Sequence, residues 1–246
     1  MAAPRIDAFC GSLTRNGEAA CGSLAQVLRG EDCVTVLIAD GNIPAPAAGA
    51  ESARQAPRGS SAAAAARAAL AAGMLSSLLR AGQSPEEAAL ALSRVQPPDG
   101  PFTAFAVAQM RADGSLLAAQ YRMAPPVFLL RGRLREPELR ETENGVQSVS
   151  LSAREADTAA LLCGAPGREL PDIPDGFSRK AAAAFLQGAY KPHIEAERLG
   201  TLLLRAGETL CGAKPDDDFS VALLRFLRPR AKSGPVLQEP AGENEQ

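Results

Sequence analysis

Helical and extended periodicities occupy separate blocks of this sequence, and that segregation limits the folds open to it. VTVLIADG (34–41) is an unbroken β-branched and apolar run closed by Asp-Gly, the pattern of a buried strand ending in a turn. Two helical stretches follow, 60–81 and SPEEAALALSRV (84–95). The second has Ser84 at the N-cap, Pro85 at the first helical position and acids in the first turn. The period then changes. PFTAFAVAQM (101–110), SLLAAQYRM (115–123), PPVFLLRGRL (125–134), GVQSVSL (145–151) and DTAALLCG (157–164) read as short strands, with turns at Asp113-Gly114 and Arg131-Gly132. A second helical pair, 178–190 and 192–212, precedes a last strand, DFSVALLRFL (218–227). The later helix carries an apolar stripe through Ile194, Leu199, Leu202 and Leu203. A strand-rich start, a helix pair, a strand block, a helix pair and a final strand predict an α+β fold, with helices stacked on antiparallel sheets.

Composition narrows the function classes. A net charge of −2, without a basic stripe carrying interleaved aromatics, argues against nucleic-acid and membrane-surface roles. The five cysteines (Cys10, Cys21, Cys33, Cys163, Cys211) form no CxxC pair, and His193 is the only histidine, so a zinc site of Cys/His spacing is not expected. The cysteines read as small buried hydrophobes in a reducing cytoplasm. The alanine-rich stretch around SSAAAAARAALAAGMLSSLLRAG is broken by Arg67 and Arg80, which favours a globular-protein helix over a membrane span. Residues 42–60, with three prolines, read as a long exposed loop, and the stretch from Pro229 as a disordered tail.

One stretch does not fit a plain core. KPDDDFSVALLRF (214–226) runs three aspartates into an apolar strand, although clustered carboxylates repel unless solvent or a cation compensates. An Asp-rich turn explains it when taken alone. Asp40, however, also ends a buried strand. Acids at two strand ends can converge on hard cations such as Mg2+ or Mn2+, which take carboxylate and water oxygens. Two such ions can hold a water and clamp a phosphoryl group for in-line attack.

In this order the motifs resemble those of the bacterial stage II sporulation protein E phosphatases, relatives of the metal-dependent protein phosphatase 2C group. The resemblance covers residues 5–228. LTRNGEAACGS (13–23) is similar to the opening that usually reads CGD, VLIADG (36–41) to the strand and DG motif, and 102–133 to the central hairpins. KPDDDFSVALLRF is similar to the closing strand. The resemblance implies a two-sheet antiparallel β-sandwich flanked by helices over 1–228, with 229–246 as tail. It implies metal ligation by Asp40, by the Gly41 carbonyl and by Asp217, or less favourably Asp218, with Ser220 at the small-hydroxyl position. It assigns no catalytic side chain. Mn2+ or Mg2+ would be the cofactor, and a phosphoprotein substrate or a regulatory protein the partner.

The departures carry equal weight. Ser23 stands where the acid after Cys-Gly is expected. Gly164, in LLCGA (161–165), stands where the family's SDG places an aspartate. Asp172 and Asp175 lie nearby in LPDIPDG, and the loop after DG is rebuilt. Two lost acids imply at most one weakly held ion, and hence a weakened phosphatase or a pseudophosphatase that binds partners. On this reading, Ser23→Asp with Gly164→Asp should tighten metal binding.

Overall fold

A computed structural model describes residues 5–14, 18–43, 61–96, 102–164, 178–210 and 218–227. Its strands are β1 (Arg5–Leu13), β2 (Ser23–Arg29), β3 (Cys33–Ile43), β4 (Phe102–Arg111), β5 (Ser115–Tyr121), β6 (Val127–Leu130), β7 (Arg133–Arg135), β8 (Arg140–Glu141), β9 (Val146–Ser152), β10 (Thr158–Gly164) and β11 (Phe219–Leu227). Its helices are α1 (Ser61–Arg80), α2 (Pro85–Arg94), α3 (Arg179–Ala189) and α4 (Ala196–Leu210). Among the described residues the strands form two antiparallel sheets. Sheet 1 runs β1-β11-β10-β6-β7 and sheet 2 runs β2-β3-β4-β5-β9-β8. The expected α-β-β-α sandwich is the fold. The expected loop at 42–59 and the tail from 229 lie almost wholly outside the described residues, as do Cys211, Asp172, Asp175 and Asp217.

Strand alternation decides where the core sits. Val34, Val36 and Ile38 of β3 and Ala222 and Leu224 of β11 face each other between the sheets, with Phe128 and Met110. The intervening Leu37 and Ala39 face α1 and α2, packing on Ala68, Ala72, Leu75 and Leu92. On the other side Val221 and Leu223 face α3 and α4 through Leu186, Leu199 and Leu203. Both faces of these strands are therefore buried. That is why they read as continuous apolar runs, without polar alternation.

Local signals agree with the packing. Ser84 and Glu87 close a reciprocal capping box at α2, with bonds of 2.8 and 3.3 Å. Arg131 and Gly132, at φ of 56° and 73°, make the tight turn of the β6–β7 hairpin. The first amide of α4 is capped from far away in sequence, since Ala196 N donates to Asp7 Oδ2 at 2.7 Å.

Two expectations are corrected. Cys10, Cys21 and Cys33 are only partly buried, and Cys163 alone of the described cysteines is a core residue. The segment Ala62–Arg80 of α1 is long and apolar enough to cross a membrane by length and composition, Arg67 notwithstanding. Alanine supplies that character, and the face through Ala64, Ala68, Ala71, Ala72 and Leu75 packs against sheet 2.

Candidate functional site

The site-end row of each sheet points into the gap between the sheets. In sheet 2 that row is Ser23 paired with Asp40, then Ala104. In sheet 1 it is Ser12 paired with Ser220, then Cys163. Asp40 and Asp218 thus stand at one end of the sandwich, both 4% exposed. Asp40 and Asp218 share one mouth, but β3 runs on past Asp40 to Ile43 instead of turning at Asp40-Gly41, and Asp217, the acid favoured from the sequence, lies outside the described residues.

At the centre of the mouth are hydroxyls. Ser220 Oγ lies 2.6 Å from Ser12 Oγ across the β1–β11 pair and 2.6 Å from Ser23 Oγ across the sheet gap. Ser23 Oγ continues to Cys21 Sγ at 3.2 Å, and Cys21 Sγ reaches Leu13 O at 4.0 Å. One orientation satisfies the whole chain: each hydroxyl donates once toward Cys21, and its thiol donates to the Leu13 carbonyl. Burial is the first cause pushing the Cys21 thiol pKa up, with the Asp218 carboxylate adding to it. Hydrogen bonding to Ser23 opposes the rise. A neutral thiol at this point suits the chain's end.

The CGS turn ties the sheets by its backbone. Gly22 N donates to Asp218 Oδ2 at 2.6 Å, and Gly22 O accepts from Gly41 N at 3.0 Å. The Gly41 carbonyl accepts two N–H groups from one edge of the Arg67 guanidinium, Nε at 3.0 Å and Nη2 at 2.7 Å. Arg67 was visible in sequence only as a break in an apolar helix. Gly41 also packs under α1 so closely that a Cβ there would stand 2.1 Å from the Ala64 carbonyl oxygen.

The metal that the resemblance implies does not fit these residues. Ligands at 2.0–2.1 Å around an octahedral Mg2+ stand about 2.9 Å apart at their nearest. The serine oxygens at 2.6 Å are already closer, hydrogen-bonded to each other. The Gly41 oxygen is taken by a cation. A divalent ion on that oxygen would sit ~4.5 Å from the guanidinium, a repulsion of roughly 7 kcal/mol at an effective dielectric near 20. One Asp218 oxygen is held by the Gly22 amide. Gly164 adopts φ +88°, and a Cβ there would fall 1.7 Å from the Asp218 carbonyl oxygen, so no carboxylate can be carried at that position as it stands. Among the described residues no group of three or more His, Cys, Asp or Glu side chains gathers as a ligand set.

No imidazole serves this mouth. His193 lies in the α3–α4 turn, whose Lys191 and Pro192 carbonyls accept from Arg225 Nη2 at 3.1 and 3.4 Å. Arg225 is five residues along β11 from Ser220, about 17 Å at a strand's rise. Among the described residues, the mouth offers a hydrogen-bond network holding two sheets and one helix together.

No protein-family model matches the chain. No curated protein sequence matches it either. Solved structures do. The RsbU and RsbW domains of Rv1364c from Mycobacterium tuberculosis superpose with a TM-score of 0.67 at 20% identity, over 92% of this chain and 63% of that one. The PP2C phosphatase domain of SpoIIE from Bacillus subtilis, with a fragment of its regulatory domain, gives 0.70 at 12% over 92% and 65%. The chain therefore spans under two thirds of each of these proteins. RsbX in complex with magnesium gives 0.62 at 10% over 90% and 95%. The chain has the fold of the SpoIIE and PP2C-type phosphatase domains.

Proposed function

We propose that this chain is a pseudophosphatase, a PP2C-type domain that has exchanged its metal centre for direct contacts and acts by binding a regulatory protein partner. The observation that carries the reading is the hydroxyl bridge of Ser12, Ser220 and Ser23, which joins the two sheets by hydrogen bonds, with Ser23 standing where the resemblance expects an acid. A catalytic pair of ions needs charge and open coordination positions, and neutral hydroxyls bonded to each other, with Ser23 and Ser220 buried and Ser12 at the exposed edge, supply neither. We take residues 1–228 as this one domain and 229–246 as its tail. The thiols of Cys10, Cys21 and Cys33, not tied in disulfides, support a reducing cytoplasm as its compartment. A protein partner is favoured over nucleic acid by the net charge of −2.

The competing reading is a weakened metal-dependent Ser/Thr phosphatase with one loosely held Mn2+ or Mg2+. Its support is that Asp40 and Asp218 remain at the mouth, with Asp217 next to the latter in sequence. Mn2+ titration by calorimetry, run beside hydrolysis of p-nitrophenyl phosphate and of a phosphoserine peptide, separates the two. The proposal expects no saturable Mn2+ heat and no turnover above buffer. Saturable binding with turnover that Asp40→Asn abolishes would overturn it.

A further inference from the structure

We infer that Arg67 is the resident cation of this mouth: its guanidinium holds the end of β3 to α1 and leaves the fold independent of divalent metal. The inference rests on the pseudophosphatase reading and adds an agent to it. Three features carry it. The Gly41 carbonyl accepts two donors from one guanidinium edge, a forked contact that a charge-assisted donor makes stronger than a neutral one. Arg67 follows Ala64 by one helical turn, and it is the Ala64 carbonyl that leaves room for nothing larger than glycine at position 41. One turn of α1 therefore grips the same residue by its backbone and by its side chain. Gly41 is itself buried and its amide is already committed to Gly22 O, so the residue is held by its backbone on both sides, by the CGS turn and by Arg67. The place assigned to Gly41 by the resemblance is that of a metal ligand through this same carbonyl. Here a side chain of the protein supplies the positive charge.

The test is thermal unfolding of the full chain as wild type, Arg67→Ala, Arg67→Gln and Arg67→Lys, each in EDTA, in Mn2+ and in methylguanidinium. Wild-type Tm should be the same in EDTA and in Mn2+, because a ligand that binds the native state raises Tm. Arg67→Ala should lower Tm by roughly 3–10 °C, and methylguanidinium should restore part of the loss in that variant alone. Arg67→Lys, keeping charge but not the fork, should fall between wild type and Arg67→Gln. Arg67→Ala melting with wild type, or a lysine variant no better than glutamine, would overturn the inference. If Arg67→Ala does not fold, the lysine and glutamine variants decide it. Failure of the functional reading looks different: Mn2+-dependent turnover by wild type would end that reading. A flat wild-type Tm with loss and chemical rescue in Arg67→Ala would still identify the cation.

Discussion

Placing an aspartate at position 164 to recreate a metal ligand should unfold the mouth. Gly164 ends β10 at φ +88°, opposite Phe219 of β11. A side chain in that backbone region costs on the order of 1–3 kcal/mol before any contact is considered. The contact is severe. The new Cβ would lie 1.7 Å from the Asp218 carbonyl oxygen and 2.8 Å from its carbon. These are backbone atoms, and they cannot rotate away. Asp218 is fixed at one side by Gly22 N on Oδ2 and at the other by the start of β11, so relief means moving the strand. Such overpacking costs about 1–3 kcal/mol, which brings the total to roughly 2–6 kcal/mol. At this chain length that is a Tm fall of roughly 4–24 °C. Since the penalty comes from the Cβ, Gly164→Ala should lose nearly as much as Gly164→Asp, and neither should gain Mn2+ affinity, alone or with Ser23→Asp. Urea denaturation followed by circular dichroism, with Mn2+ calorimetry on the same samples, measures both. A double Ser23→Asp, Gly164→Asp protein as stable as wild type and binding Mn2+ saturably would refute the steric reasoning and restore the expectation drawn from sequence alone.

Other outcomes test the remaining contacts. Ser220→Ala removes the shared partner of Ser12 and Ser23 and should cost about 1 kcal/mol in urea denaturation, because the buried Ser23 hydroxyl loses one of its two partners while the exposed Ser12 can turn to water. Arg225 is fully buried, lies over Tyr190 at 5.3 Å, and has Nε and Nη1 without a hydrogen-bond partner. Arg225→Met should therefore stay within about 1 kcal/mol of wild type, while Arg225→Ala loses about 3–5 kcal/mol through the cavity it opens. Equal losses would show that the Lys191 and Pro192 carbonyl bonds carry the energy. Burial pushes the Cys10 thiol pKa up from 9.0 to about 12. Its neutral form then stabilises the fold fully below pH 9, and that contribution is lost as pH rises toward 12. Cys10→Ala should flatten this alkaline loss in urea midpoints measured across the range, and native Cys10 should react slowly with a thiol reagent near pH 8.

What the sequence made legible was whatever local pattern encodes. The continuous apolar run of β3, the capping box at Ser84 and Glu87, and the Arg131-Gly132 turn each declare themselves within a few residues. The bonds that define the mouth have no such signature. Ser23 and Ser220 are 197 positions apart, Ser12 and Ser220 are 208 apart, and Asp7 caps α4 from 189 residues away. Short-range periodicity says nothing about pairs of this kind. Motif order brought Asp40 and the start of β11 to one mouth but read Ser23 and Gly164 only as missing acids. In the structure they are positive requirements: a hydroxyl of the right reach, and a residue without a Cβ at a left-handed backbone position. This bears on the proposal that direct contacts replace the metal centre. Piecemeal loss of acids from a metal site would strand buried polar atoms that the ion once served, at about 1–3 kcal/mol each. Among the described residues the buried side-chain atoms without a hydrogen-bond partner belong to Gln83, Gln120 and Arg225, and none belongs to Ser23, Asp40, Asp218 or Ser220. The substitutions fit one another, with hydroxyls answering hydroxyls, an amide answering Asp218 and a guanidinium answering Gly41. Mutual fit of that kind among the described residues supports the proposed pseudophosphatase reading.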